Sequence, residues 1–433
     1  MSDIKTYLLA LVLIFIPLYP KFPLVSVSGT FVAIRLEDVL LAFVAGIFTW
    51  GLIKNRGLFE FTPLSRALLL YLTVGLIASF SGIFLTRSSA LTQGFLHYFR
   101  RLEYMSLFFV GYAWLKGLKQ VNFLVRVVLM TSLLVAVYGL GQQFFGFPVV
   151  TTTNSEFSKG LALTLGQGAR INSTFAGHYD LAAFSVFPLF LIIALLPFAS
   201  RKLPLLVLAA LVYWTLLLSA SRITFASFFL SAAALLLIIR RPLWLLPLAA
   251  AAIIGVVVSP QLLGRYRSLI TNHLKISLVS TVSAQETGSK DVNDTPDALK
   301  PPLVPEDRSF NIRLRVEWPR ALRAVSKNPV LGTGFSSVGL AVDNDYLRSL
   351  AESGILGLAA FLLIIARYFK TSLPLIISYR QDLCHAFVIS VTCSLFSLLI
   401  NAVFIDVFAA SKIAVFTWLC LGLTEKTKAL IRQ

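Results

Sequence analysis

Apolar runs alternate with short polar segments along almost the whole chain. They fall near residues 6–20, 38–53, 64–85, 94–115, 121–145, 178–199, 203–220, 222–239, 243–260, 350–369, 384–404 and 406–423. Roughly 20 apolar residues in a helix span a bilayer's hydrocarbon core, and a helix satisfies its own backbone there. Each run is therefore predicted to be a membrane-spanning helix. The fold class expected is an all-α polytopic membrane protein with about twelve transmembrane helices. Eleven is the alternative, because the first run is short and the last two are hardly separated. The polar segments divide the chain into transmembrane helices 1–5 at 1–145, an outer loop at 146–177, helices 6–9 at 178–260, a large outer loop at 261–344, and helices 10–12 with a tail at 345–433. The first run has no small-residue cleavage site and ends in Pro17-Leu18-Tyr19-Pro20, so it reads as a span and not as a signal peptide.

Composition agrees with this pattern. Of 433 residues, 57% are hydrophobic and 13% charged, against roughly a quarter charged in soluble domains. The net charge of +18 suggests nucleic acid, but the basic residues sit mostly between the runs, where membrane topology needs them. No nucleic-acid partner is expected. With both termini cytoplasmic, the short inner segments hold 17 Lys and Arg and the short outer ones 9, the bias expected for that orientation. The longest loops then lie outside. Cys384, Cys393 and Cys420 sit in apolar runs without zinc spacing and read as packed free thiols.

Within the large loop, 277–308 is rich in Ser, Thr, Asp, Pro and Lys and is expected to be a disordered linker. Beyond it Phe310, Leu314, Ala321, Leu322 and Val325 recur at roughly helical spacing, so an amphipathic helix is predicted there. Pro319 should start or kink it, and Asn328-Pro329 with Gly332-Thr333-Gly334 should end it in a turn. No inverted repeat or Gly/Pro-broken pair of spans of the transporter kind is seen.

Ionisable residues at membrane depth are functional candidates, because desolvating them is expensive. On the predicted outer side they include Arg35, Glu37, Asp38, Arg100, Arg101, Glu103, Arg170, His178, Asp180, Arg222, Arg313, Arg315, Asp343, Asp345 and Glu352. Arg222, between two spans, is either a snorkelling interfacial side chain or a ligand for phosphate through its planar fork. His178 and Asp180 open a span, where capping or packing roles compete with chemistry. Arg313 and Arg315 fall on different faces of the loop helix, where a solvated basic face is the plain alternative. Asp343-Asn344-Asp345 precedes a span; one of the three is suited to capping it, and Glu352 lies about one turn inside. Several arginines and a few carboxylates at one membrane face suit a lipid-linked diphosphate and a hydroxyl acceptor.

The order INSTFAGHYDLAAF, SASR, Arg…Trp…Ala-Leu…Asn-Pro…Gly-x-Gly at 313–334, and DNDYLRSLAESGILG resembles the O-antigen ligase/O-antigen polymerase superfamily of bacterial membrane glycosyltransferases. The likeness in topology covers roughly 20–425, and the motifs fall within 168–240 and 308–360. It implies a multi-pass protein of the bacterial cytoplasmic (inner) membrane, part of cell-envelope polysaccharide biosynthesis, with its active site on the outer face. The implied donor is an undecaprenyl-diphosphate-linked glycan, and the acceptor a sugar hydroxyl on a glycan or lipid carrier. It implies no metal and no cofactor; a chain-length regulator is a possible partner. Arg222 matches the family's arginine after the seventh span. Arg313 or Arg315 matches its loop arginine before the Trp. Diphosphate binding is expected of these and of Arg170. Asp343 stands where many members have a His held to be the base, so Asp343, His178 and Glu352 are the catalytic candidates. Asp345, Asp180, Arg35, Asp38, Arg100 and Arg101 are secondary candidates. Two alternatives remain: a transporter for a small anion such as bicarbonate, and a protein O-oligosaccharyltransferase.

Overall fold

The computed structural model describes residues 2–20, 22–26, 33–55, 57, 59–149, 169–259, 263, 312–339 and 342–432. The expected linker at 277–308 and the middle of the 146–177 loop lie outside these residues. Among them, helices form in the order α1 (Ser2–Leu18), α2 (Leu36–Lys54), α3 (Pro63–Phe80), α4 (Leu91–Trp114), α5 (Leu118–Phe144), α6 (His178–Leu195), α7 (Lys202–Ser219), α8 (Arg222–Ile238), α9 (Leu245–Val258), α10 (Trp318–Lys327), α11 (Asp345–Ile377), α12 (Leu383–Asn401) and α13 (Ser411–Arg432). Seven are long and apolar enough to cross a membrane: α2, α3 with its continuation to Leu85, α5, α6, α7, α11 and α12. α1, α8 and α9 are shorter apolar helices, while α4 and α13 are long but carry several charges.

Local chemistry sets many boundaries. Thr62 caps α3 by accepting the Ser65 N–H, with Pro63 at the first helical position, where a missing N–H costs nothing. Asn344 caps α11 through the Leu347 N–H, and Asp382 caps α12 through the His385 N–H. α6 and α12 form the centre and are largely buried, as their all-round apolar surfaces require. α13 packs on α4, α11 on α3, and α12 on α6 and α8. One small departure from an all-helical chain is an antiparallel strand pair, β1 (Pro23–Ser26) and β2 (Ala33–Arg35), in the α1–α2 connection.

A sharp break interrupts α11. Gly354 interrupts it with φ 67° and ψ −171°. That backbone is open to glycine, and a Cβ there would strike the Val330 carbonyl oxygen. The turn after α10 fills the break. Thr333 and Gly334 donate N–H bonds of 2.9 Å to Ala351 and Glu352 carbonyls, while Ile355 and Leu356 donate to the Pro329 and Val330 carbonyls at 2.9 and 3.3 Å. Backbone groups released by the break are thus satisfied by the Asn328–Gly334 turn, as an interrupted helix at membrane depth requires. Ser81–Leu85, a π-turn ending α3, takes the other side of this turn: Asn328 donates to Ser81 Oγ at 2.9 Å. The sequence pattern marks the Asn328–Gly334 turn but not its partners in α3 and α11.

Candidate functional site

The centre of the site is an ion pair between the loop helix and the residue before the α11 cap. A π-turn, Arg313–Glu317, leads into α10. It buries Arg313, leaves Arg315 exposed, and directs the Arg313 guanidinium onto Asp343. Nε and Nη2 both bond Asp343 Oδ2, at 2.8 and 2.7 Å. Asp343 has φ 52°, a left-handed backbone that Asp tolerates better than most residues. Burial pushes its carboxyl above the usual range, and Arg313 opposes that shift. Glu317 is also raised, by burial and then by the Asp343 charge.

A second pair meets the first. Arg170 Nη1 lies 2.8 Å from His178 Nε2 at the start of α6. Arginine only donates, so Nε2 accepts and the imidazole is neutral with its proton on Nδ1. Held this way, His178 orients Arg170 and cannot take a proton at Nε2. The His178 ring packs on Tyr179 with centroids 4.1 Å apart, and the Arg313 guanidinium stands 6.0 Å over the Tyr179 ring. Arg170, His178, Tyr179, Arg313 and Asp343 thus form one connected group.

The Asp343 loop is fixed by Asp406, which the sequence reading placed at the start of the last span. Instead, α13 begins at Ser411, and 402–410 is a connection of its own. Asp406 accepts the Val342 and Asp343 N–H groups at 3.0 Å each, the Asn344 N–H at 3.2 Å, and Arg348 Nη2 at 2.8 Å. Burial opposes its charge, but Arg348 and these amides outweigh that and hold the carboxyl below its usual range. Arg348 bonds Glu352 in turn at 3.2 Å, and Glu352 accepts the Ser336 N–H at 3.2 Å. Glu352 is therefore committed to Arg348 and the 332–339 turn. Asp345 accepts the Phe408 N–H at 2.9 Å, and Arg101 donates to the Phe408 carbonyl at 2.8 Å.

Other candidates lie further along this end of the bundle. Asp38 accepts the Arg35 N–H at 2.9 Å where α2 begins, and Arg100 reaches Asp38 at 3.4 Å. Asp180 is half-buried in the first turn of α6. Arg222, also half-buried, opens α8 directly after a left-handed turn at Ala220. Thr224 donates to Asn401 Oδ1 at 2.7 Å, and the next residue, Ala402, accepts the Asp345 N–H at 2.8 Å. Ile171 N–H reaches the Leu218 carbonyl at 3.4 Å. These links bring the backbones of Arg222 and Arg170 to the end of the bundle that holds Asp343. Lys412, 1% exposed, donates to the carbonyls of Pro17, Tyr19 and Thr174 at 3.2, 2.6 and 2.7 Å. It ties α1 and the segment before His178 to α13.

Residues 204–362 match the O-antigen ligase family model. Over this segment the chain is similar to the O-antigen ligase family. The O-antigen ligase segment runs from α7 into α11 and holds Arg222, Arg313, Asp343, Arg348 and Glu352. Arg170, His178, Asp406 and Lys412 lie outside it and reach the site through the fold. No curated protein matches the chain. This similarity points to glycan transfer at a membrane.

Asp406, Arg348 and Tyr179 were missed in the sequence. Two left a signal. Asp406 is the one acidic residue between Asp382 and Glu425, an isolated carboxylate in an apolar stretch. Arg348 precedes Glu352 by four residues, the spacing of a helical ion pair.

Proposed function

We propose that this chain transfers or polymerises a glycan from an undecaprenyl-diphosphate-linked donor onto a hydroxyl acceptor, at the outer face of the bacterial cytoplasmic membrane. In this reading all twelve helices other than α10 are spans, and both termini are cytoplasmic. The observation that carries the proposal is the Arg313–Asp343 pair inside the O-antigen ligase segment, with Arg313 buried and linked through Tyr179 and His178 to Arg170 outside it. The acceptor oxygen attacks the anomeric carbon, the anomeric carbon–oxygen bond to diphosphate breaks, and undecaprenyl diphosphate leaves. Arg313, Arg222 and Arg170 stabilise the charge that grows on that leaving group. Asp343 takes the hydroxyl proton. Both guanidinium bonds fall on Oδ2, so Oδ1 is the oxygen proposed to take the proton.

Purified protein given an undecaprenyl-diphosphate-linked glycan should release undecaprenyl diphosphate only when acceptor is present. Glycan on a lipid-A core, a longer lipid-linked glycan, or a glycoprotein distinguishes ligase, polymerase and protein O-oligosaccharyltransferase. Arg222→Lys should fail in the same assay, because a point charge does not reproduce a bidentate fork; full activity would refute that role. An active base must be ionised, so the rate should fall as pH drops through the Asp343 pKa, which lies above the ordinary value of 3.8. Asp343→Asn should remove most of the rate at every pH.

The break in α11 is the feature that favours an anion transporter, since discontinuous helices line transport sites. Here the released backbone groups bond the 329–334 turn instead of facing a cavity. Solute flux in vesicles without any lipid-linked donor would reverse this preference.

A further inference from the structure

At the end of α8 and α11 far from Asp343, a cavity of about 490 Å³ opens between the α8–α9 and α11–α12 turns. This is within the range of small-ligand sites. Arg240, Arg241, Ser378, Tyr379 and Gln381 line it. The Tyr379 hydroxyl donates to the Ala194 carbonyl at 3.3 Å, which ties this wall to α6. Asp382 is nearby, but its oxygens are taken by the His385 N–H at 2.9 Å and the His385 ring at 2.6 Å. The net character of the lining is cationic.

Arg240 occupies an unusual backbone position. α8 ends with Arg241 N–H on the Leu236 carbonyl at 2.8 Å and Arg240 N–H on the Leu237 carbonyl at 3.1 Å. This crossed pair makes Arg240 the left-handed residue of the helix stop, with φ 56°. Glycine is the usual occupant. A long side chain kept at a strained position is an outlier of the kind that accompanies function.

We propose that this cavity binds the phosphate of an anionic phospholipid, gripped by Arg240 and Arg241. Basic pockets between helices at a membrane surface take such head groups, and arginine matches phosphate with paired N–H bonds. Bound there, a lipid would clamp the ends of the two helices whose other ends carry Arg222 and Asp345. The proposal is independent of the chemistry at that other end.

The test is thermal unfolding of the detergent-purified full chain with phosphatidylglycerol, phosphatidylcholine or inorganic phosphate. Phosphatidylglycerol should raise Tm and phosphatidylcholine should not. Arg240→Gly is the decisive variant. It fits the left-handed backbone, so the lipid-free protein should keep or exceed its Tm, yet the shift with phosphatidylglycerol should fall and apparent lipid affinity drop about tenfold. The pair Arg240→Gly, Arg241→Ala should abolish the shift. Should inorganic phosphate alone reproduce the shift in the wild type, lipid as the source is overturned and the ligand is the free anion. Equal shifts in wild type and variants, or none in any, overturn the site itself.

Discussion

Arg313→Ala should lower glycan transfer about 100-fold or more, whereas Arg315→Ala should leave most of the rate. The sequence could not separate these two arginines, which sit two apart in a basic loop helix. The π-turn does so. It widens the helix at 313–317, buries Arg313 against Asp343 and Tyr179, and leaves Arg315 exposed. A buried guanidinium meets a developing phosphate charge with little competition from water, while an exposed one is screened. Arg313→Ala also leaves Asp343 without the cation that offsets its burial, so its carboxyl should rise further and ionise less readily. Arg313→Lys keeps the charge but loses the two-nitrogen grip and should recover only a small part of the rate. The check is a single-turnover rate with a purified lipid-linked donor, normalised to protein folded in the membrane. Comparable losses in Arg313→Ala and Arg315→Ala would contradict the geometry.

Asp406→Ala should destabilise the protein by about 3–5 kcal/mol, the magnitude for removing one partner of a buried ion pair, and abolish transfer. The substitution strands the Arg348 charge and leaves the Val342, Asp343 and Asn344 N–H groups without their acceptor. Asp343 then has nothing to hold its left-handed backbone. Asp406→Asn keeps an acceptor oxygen but not the charge, so it should fold better than Asp406→Ala and still transfer poorly. The acid dependence follows from the direction of its shift. A carboxyl held below its usual range contributes stability that is complete above the ordinary aspartate value and is lost as pH falls below it. Thermal unfolding against pH, wild type beside Asp406→Asn, should show the wild type losing its advantage toward pH 3–4, about where an ordinary aspartate titrates. Wild-type stability in Asp406→Ala would show that other contacts hold the loop.

Lys412 illustrates how buried charge can pass unnoticed in sequence. In the chain it is one basic residue near the start of the last apolar run, where it reads as a topology signal. In the fold it is enclosed and bonded to three carbonyls from two distant segments. Glu352 shows the reverse. In the chain it is a carboxylate inside an apolar run, and in the fold it is committed to Arg348 and the Ser336 amide.

The sequence by itself determined the apolar segments, the helices on them, the loop helix before Asn328-Pro329 and the general neighbourhood of the chemistry. Those features depend on composition and periodicity within about 20 residues, because a bilayer requires each crossing to satisfy its own backbone. Only the tertiary structure decided which arginine meets Asp343, that His178 is held by Arg170, and that Asp406 organises the loop. Those pairings join residues from 8 to 64 positions apart. Periodicity carries no information on such pairs, which are set by how helix ends pack and by the need of every buried charge for a partner.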